Sequence, residues 1–484
     1  MKIFSKKIFA FFAVLAFLIV FAEPEFPKKI FRFTKSLIKE NVPTYSERSF
    51  LEAIKDSSQK IKMESLQAFL PHININSLDL TLSKLPKREL MKIGAQDFQV
   101  IEYRANFLTL EKRKPEIGPA YIDFIEEGKL MIAQENGLFF SLLLDKVFAE
   151  EKSIKVETYE SNITDFVNYF DFYFAGQFGI KDILVADKVV YVSYIREFQD
   201  DCFNVSILKA EIKKYLEFSI LFSPQECIYR DITDFNAHQT GGRLSKYQKN
   251  KILLSTGSFR SRIKAQDVHS SFGKILSIDL DSGISELISM GHRNPQGLTY
   301  SPKYNDVFST EHGPNGGDEV NYNATPGKLE IANFGWPISS YGGHYGASGY
   351  DLVNSKLQLT EFRSRSVYEL APLFKSHADY NFLEPFINFS PSVGISQIIE
   401  VQHDYTQTGA ARTFIFGTMG SEKSELIPTL SMFFISTDTE NNLILKEQLL
   451  LKERMRDLVF DKKNNSVIFS GDLNGVIGVM RPVN

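Results

Sequence analysis

AYIDFIEEGKLMIAQENGLFFSLLL, residues 120–144, decides how the fold is read. Ala120–Ile125 is a short apolar-rich run, Glu126–Gly128 a turn, Lys129–Ala133 a second run, Glu135–Gly137 a second turn, and Leu138–Leu144 a third run. Runs this short, split by Gly-containing turns, read as strands joined by hairpins rather than as helices. The rhythm returns at Ile183–Ala186 with Val189–Tyr194, at Lys251–Thr256, and at Lys274–Leu280 before Asp281-Ser282-Gly283. It appears again at Arg412–Phe416, Leu458–Asp461 and Ser466–Ser470. No long amphipathic helix interrupts it, so a sandwich, a barrel or a propeller is indicated. Length chooses among them. The region from 96 onward far exceeds a sandwich of about 100 residues and suits six four-stranded blades of about 65 residues each. The expected fold is all-β, a six-bladed β-propeller over 96–484.

Upstream, residues 23–95 are Lys-rich and mixed in pattern. Ser46–Met63 carries apolar residues at helical spacing between Pro43 and Pro71, which predicts a partly helical N-terminal extension. At the start of the chain, Lys2, Lys6 and Lys7 precede an apolar run from Ile8 to Ala22, followed by Glu23, Pro24 and Glu25. That is a secretory signal over residues 1–22, with Val20-x-Ala22 as a cleavage site. The run falls short of the roughly 20 residues that span a bilayer. Cleavage and an uncleaved inner-membrane tether remain the two outcomes, and both predict an exported, periplasmic chain. The net charge of −4, without long basic runs beyond the N-terminus, excludes a nucleic-acid partner. Cys202 and Cys227 are the only cysteines. They suit an oxidising compartment either as a disulfide or as two thiols, and without Cys-x-x-Cys they propose no thiolate metal site.

Between Gly176 and Gly346 lie motifs that strand formation does not require: GQFG (176–179), HQTGGRL (238–244), AQD (265–267), FGKILSID (272–279), GHRNPQGL (291–298), EHGPNGGDE (311–319), NFGWP (333–337) and Ser340-Tyr341-Gly342. His238 precedes a Gly-Gly turn that can present an imidazole at a blade end, where a base near neutral pH is useful. Pro295 and Gly297 shape a turn that aims Arg293 and Asn294. In EHGPNGGDE, glycine supplies the backbone angles that turn consecutive carbonyls toward one point, and a hard cation accepts such oxygens.

The order and wording of these motifs resemble the glucose/sorbosone dehydrogenase family of soluble PQQ-dependent glucose and aldose sugar dehydrogenases. MRDLVFD (Met455–Asp461) looks like that family's last-blade signature. The resemblance implies six blades, bound PQQ and calcium, a sugar substrate oxidised at its anomeric carbon, and an external electron acceptor. It makes His238 the catalytic base, in contact with the sugar beside Gln177. It puts Arg293 and Asn294 at the quinone, Arg293 stabilising charge on its oxygen, and turns the carbonyls of Gly313 and Pro314 to a calcium ion. Asp318 and Glu319 then hold a second, structural calcium or pin the loop. Trp336, the only tryptophan, either forms a platform at the site or packs between blades. His292, His312 and His344 read as structural.

Two departures stand out. HQTGGRL is one residue longer than the family pattern, and Ser258 stands where a carboxylate is expected to orient the imidazole. The stretch Phe416–Lys423 lacks the basic residue that holds PQQ carboxylates in the family; Lys423, in a longer loop, is the nearest substitute. Arg454 and Arg456 match the last-blade motif and read as structural. These departures keep two alternatives open: a catalytically impaired propeller that binds sugar or acts as a scaffold, and a calcium-dependent lactonase-like hydrolase. The enzyme reading requires His238, Arg293 and the Gly313 turn to share one mouth of the central channel. Sugar choice would fall to the loops 345–366 and 374–385.

Overall fold

The runs that alternate with turns in the sequence are strands in the computed structural model, which describes residues 80–105, 120–167, 178–230, 235–314, 316–342, 377–402, 404–420 and 429–483. Ala120–Glu126, Lys129–Gln134 and Phe139–Leu143 pair antiparallel in succession. Gly128 and Gly137 turn the chain between them at φ of 80° and 87°, a region where a side chain is strained. By its contacts the chain divides into Met1–Asp79 and Leu80–Asn484. The signal segment and the helical stretch expected at Ser46–Met63 lie outside the described residues. The second unit is an all-β propeller. Among the described residues no helix is long and apolar enough to cross a membrane.

The propeller starts earlier than expected. Thr81–Lys84 and Met91–Ile93, placed by the sequence pattern in the N-terminal extension, are strands paired to Gln96–Ala105. Strands this short hold too few alternations for a period of two to stand out among the lysines around them. Nor are the sheets equal four-stranded blades: one has seven strands, three have five and two have four. Neighbouring sheets exchange short strands: Tyr215–Leu216 pairs parallel with Glu157–Ser161 of the sheet before it, and Ala332–Asn333 with Ser285–Met290. The widest sheet joins the two ends of the ring, because Val476–Val483 from the C-terminus pairs with Gln96–Ala105.

Each sheet offers one strand to the channel: β1 (Ala120–Glu126), β2 (Ile180–Ala186), β3 (Gly241–Lys246), β4 (Pro295–Ser301), β5 (Ile395–Glu400) and β6 (Met455–Asp461). They are neighbours in that order, and β6 returns to β1. Side-chain bonds to backbone stitch each to the next. Asp123 accepts from Val185 N at 2.6 Å and Asp182 from Leu244 N at 2.7 Å. Arg243 Nε donates to Gln296 O at 2.7 Å, and Gln397 accepts from Leu298 N at 3.1 Å. Ser396 Oγ donates to Met455 O at 2.6 Å, and Asp457 accepts from Ile122 N at 2.8 Å. Five of these six bonds join the first four residues of one inner strand to the first four of the next, so the six strands enter from the same rim of the disc. The loops preceding β3, β4 and β6 therefore open on one face, and that face carries the motifs.

Cys202 and Cys227 are bonded, with Cα atoms 5.4 Å apart. The bridge ties the segment 224–230 to the strand Cys202–Glu211.

Candidate active site

Just before β4, the turn Gly291–Asn294 delivers Arg293 into the rim. Its buried guanidinium donates through Nη1 to His312 O at 2.6 Å and lies 5.6 Å from the Trp336 ring centre. Burial pushes the Arg293 pKa down to about 9, opposed by Asp318 and Glu311. The cation is therefore poorly solvated, which strengthens any anion contact it makes. Asn294 supports rather than projects: its Oδ1 accepts from Gly241 N at 3.1 Å and from Gln296 Nε2 at 2.9 Å, and its carbonyl accepts from His312 N at 3.1 Å. It joins the Arg293 turn to the His238 loop.

A small cavity lies beside Arg293, walled by Glu311, Gly313, Pro314, Glu319, Trp336 and Ser339, with Phe334 and Ser340. Gly313 and Pro314, two of its walls, belong to a tight cluster of backbone carbonyls, a carbonyl cradle. A Cβ at Gly342 would sit 2.2 Å from Gly316 O and 2.6 Å from Pro314 O, and one at Gly313 would sit 2.1 Å from Gly317 O. Oxygens crowd these gaps so closely that only glycine fits, and this donor set suits a hard cation. Two buried chains line the wall. Ser289 Oγ meets His292 Nε2 at 2.8 Å, and His292 Nδ1 meets Glu311 at 3.1 Å. Ser339 Oγ meets His377 Nδ1, and His377 Nε2 meets Glu319 at 3.2 Å. Burial, with Glu311 nearby, raises the Glu319 carboxyl well above its usual range. Among the described residues no group of three or more His, Cys, Asp or Glu side chains can hold a metal, so any ion here would rest on carbonyls and one or two carboxylates. Asp318 is not spare for that role. Its carboxylate accepts from the backbone N of Gly313, Val393, Gly394 and Ile395, at 3.1, 3.0, 2.7 and 3.2 Å. These bonds pin the loop, one of the two roles expected of Asp318.

His238 is exposed on the adjacent loop and is not a wall of this cavity. Its backbone N donates to Asn236 Oδ1 at 2.8 Å. Loss of hydration among its neighbours, with the positive Lys181, Arg456 and Arg260, pushes its pKa down to about 4. Gly241 N, in the His238 loop, donates to Asn294 Oδ1 at 3.1 Å, and Arg260 acts on both His238 and Arg293, so loop and turn border one cationic mouth. Ser258, at the expected carboxylate position, is buried, and its Oγ has no hydrogen-bond partner among the described residues. Its backbone N donates to Arg293 O at 2.9 Å, so the residue links the two groups without supplying charge.

Gln177 and His344 lie outside the described residues, as do Lys423 and the loops expected to choose the sugar, apart from 377–385. Trp336 does line the cavity, the first of its two expected roles. Sequence reading missed the cations of the mouth. Lys181 follows GQFG and pairs with Glu135, while Arg454 and Arg456 share Asp472 at 2.9 and 2.7 Å. Lys181 gave no signal; the arginines were visible in and beside MRDLVFD, but only the ring of inner strands shows that they face the same rim as His238. Gly342, quoted only as part of a motif, proves to border the cradle.

The class that fold and site define is a channel-forming all-β propeller with an arginine turn, a histidine loop and a carbonyl cradle on one rim. The comparison with known families narrows this: the Glucose / Sorbosone dehydrogenase family model matches residues 119–477, and the chain belongs to that family. It is 26% identical over 230 residues to the aldose sugar dehydrogenase YliI of Escherichia coli, covering 43% of this chain and 58% of that protein. It is 33% identical over 146 residues to quinoprotein glucose dehydrogenase B of Acinetobacter calcoaceticus, covering 28% of each. The matched stretch thus spans less than two thirds of either relative. In fold, the PQQ-bound aldose sugar dehydrogenase of Streptomyces coelicolor superposes with a TM-score of 0.53 at 15% identity, covering 81% of this chain and 100% of that one. The apo E. coli enzyme gives 0.55 at 17% identity, covering 76% and 97%.

Proposed function

We propose that this chain is an exported, PQQ- and calcium-dependent dehydrogenase that oxidises aldoses at the anomeric carbon and passes electrons to an external acceptor. The observation that supports the reading is that the His238 loop is hydrogen-bonded to the Arg293 turn, whose guanidinium borders a cavity lined by Gly313 and Pro314. The residues present fit a flat, trianionic quinone. Arg293 lies against Trp336, and Lys181, Arg260, Arg454 and Arg456 supply positive charge in place of the basic turn missing near Thr418. The cradle fits calcium, with the carbonyls of Pro314, Gly316 and Gly317 as ligands and Glu319 or Glu311 within the same wall. When bound, PQQ supplies the two-electron acceptor for the anomeric hydride. His238, neutral at physiological pH, takes the hydroxyl proton at one ring nitrogen. Arg293 holds negative charge in a site too buried for water to screen it. Gln177, outside the described residues, remains the candidate for the sugar's hydroxyls.

A specific observation favours a second reading. A base with a pKa of about 4 and no carboxylate behind it is a weak proton acceptor, as in a propeller that binds sugar without oxidising it. One experiment separates the two. The mature protein is titrated with PQQ and calcium and assayed for aldose-dependent dye reduction. Turnover that is lost in His238→Ala while PQQ binding persists supports the dehydrogenase. Stoichiometric binding with no turnover in the parent protein supports the binding propeller, and no binding at all removes the quinone reading.

A further inference from the structure

The loop 257–273 links the two halves of the mouth. Ser258 bonds the Arg293 carbonyl, while Gly257 N and Phe259 N donate to Thr240 O and Gln239 O directly behind His238, at 2.7 and 2.9 Å. Further along, Gln266 Nε2 donates to Trp336 O at 2.7 Å, and Gln266 and Asn333 exchange bonds at 3.1 and 2.8 Å. The loop contains only one turn of 3-10 helix, Arg262–Gln266, so its shape is imposed from outside. From within the blade, the buried Lys274 ammonium donates to the carbonyls of Lys264, Ala265 and Phe272 at 2.7, 3.0 and 2.7 Å.

From the neighbouring sheet comes Glu226. Its carboxylate pairs with Lys264 Nζ and accepts from Ser270 Oγ at 2.8 Å, Ser271 N at 2.9 Å and Ser271 Oγ at 3.3 Å. Glu226 lies in no strand. It is held where it is by the disulfide at the next residue, Cys227, and by Asn204 Nδ2, which donates to the carbonyls of Pro224 and Glu226 at 2.9 and 3.2 Å. We propose that Glu226 is a positioning residue for the site: delivered by the Cys202–Cys227 bridge, it clamps the loop that sets Trp336 against Arg293. An ordinary exposed ion pair contributes little; a carboxylate with four contacts on one otherwise irregular loop fixes that loop's geometry.

The inference rests on the quinone reading only in its consequence for affinity, and the test separates the two. Because Trp336 is the only tryptophan, its emission and its quenching by acrylamide report the site alone. In the full chain, Glu226→Gln is expected to red-shift that emission, to raise quenching several-fold, and to weaken PQQ, followed by tryptophan quenching, by about tenfold, with a thermal midpoint close to the parent's. Lys264→Met removes the same ion pair from the loop side and is expected to move the signal in the same direction, which keeps the test open if Glu226→Gln does not fold. Glu286→Gln, which removes the exposed pair with Lys251, is the matched control and should leave Trp336 unchanged. Altered quenching in a protein whose parent binds no PQQ would uphold the positioning role and overturn the quinone reading. Parent-like emission and quenching in the folded Glu226 variant, or in Lys264→Met if that alone folds, would overturn the positioning role itself.

Discussion

His238 is the residue on which sequence and structure bear most differently. The motif identified the histidine, but its chemistry is set by groups far away in the chain: desolvation first, then Lys181, Arg456 and Arg260. A base must be neutral to act, and a pKa of about 4 keeps this imidazole neutral across most of the acid range. The acid limb of kcat/KM is therefore expected near pH 4 and not near the ordinary 6.5 of histidine. Ser258→Asp restores a carboxylate beside the His238 loop, which favours the charged ring and should move the limb upward by about one unit. A limb near 6.5 in the parent, measured by dye reduction across pH, would show that the cations do not act on the base. The Ser258 departure could be seen in the sequence; the cationic surroundings could not, because Lys181 and Arg456 stand on the inner strands of two sheets and Arg260 on a loop of a third, and they meet only when the ring closes.

At the scale of the inner strand, position within β1, β2, β3 and β6 explains a set of charges that no motif reading used. Arg243 is buried and spans Asp182 at 3.2 Å and Asp457 at 2.9 Å, with Nη2 on Arg456 O. Burial raises the carboxyls of both Asp182 and Asp457, and Arg243 works against that rise. Arg243→Leu would leave two buried carboxylates uncompensated, an expected loss of about 3–5 kcal/mol in denaturant unfolding at pH 7. The pH dependence has a definite sign. Acids whose folded pKa exceeds the unfolded value bind more protons when folded, so stability falls as pH rises through the folded pKa. The substitution should exaggerate that trend, and its cost should shrink as the pH falls and the pair protonates. A deficit that is the same at pH 5 and pH 8 would place the cost in lost packing and not in charge. The strands themselves were legible: the runs at Ala120, Lys129, Lys251 and Lys274 all fall where apolar periodicity puts them. The stitching between them was not, since it depends on which strand lies next to which, and a single strand's sequence does not encode its neighbour.

For the whole molecule, closure of the ring is the deciding structure. The family match begins at residue 119, yet Gln96–Ala105 pairs with Val476–Val483 from Asp97↔Val483 to Arg104↔Val476. Phe98 packs on Tyr405 and Phe434 with ring centres 5.3 and 5.8 Å apart, and Val100, Ile101 and Tyr103 are buried. The sequence boundary at Gln96 caught this strand but missed Thr81–Lys84 beyond it, whose partner Ser153–Lys155 lies in the chain between Phe139–Leu143 and Glu157–Ser161 of the neighbouring sheet. Without these strands Val476–Val483 becomes an open edge that offers unpaired N–H and C=O groups to other chains, and the apolar face beneath it is uncovered. A chain spanning 119–484 is therefore expected to aggregate or to unfold without a cooperative transition, whereas one beginning at Leu80 keeps a single denaturant transition. Light scattering and the steepness of the unfolding curve read the difference. If the shorter chain unfolded as sharply as the longer one, the strands before residue 119 would be an addition to a propeller already closed, and the composite sheet would not be what holds His238 and Arg293 on a common rim.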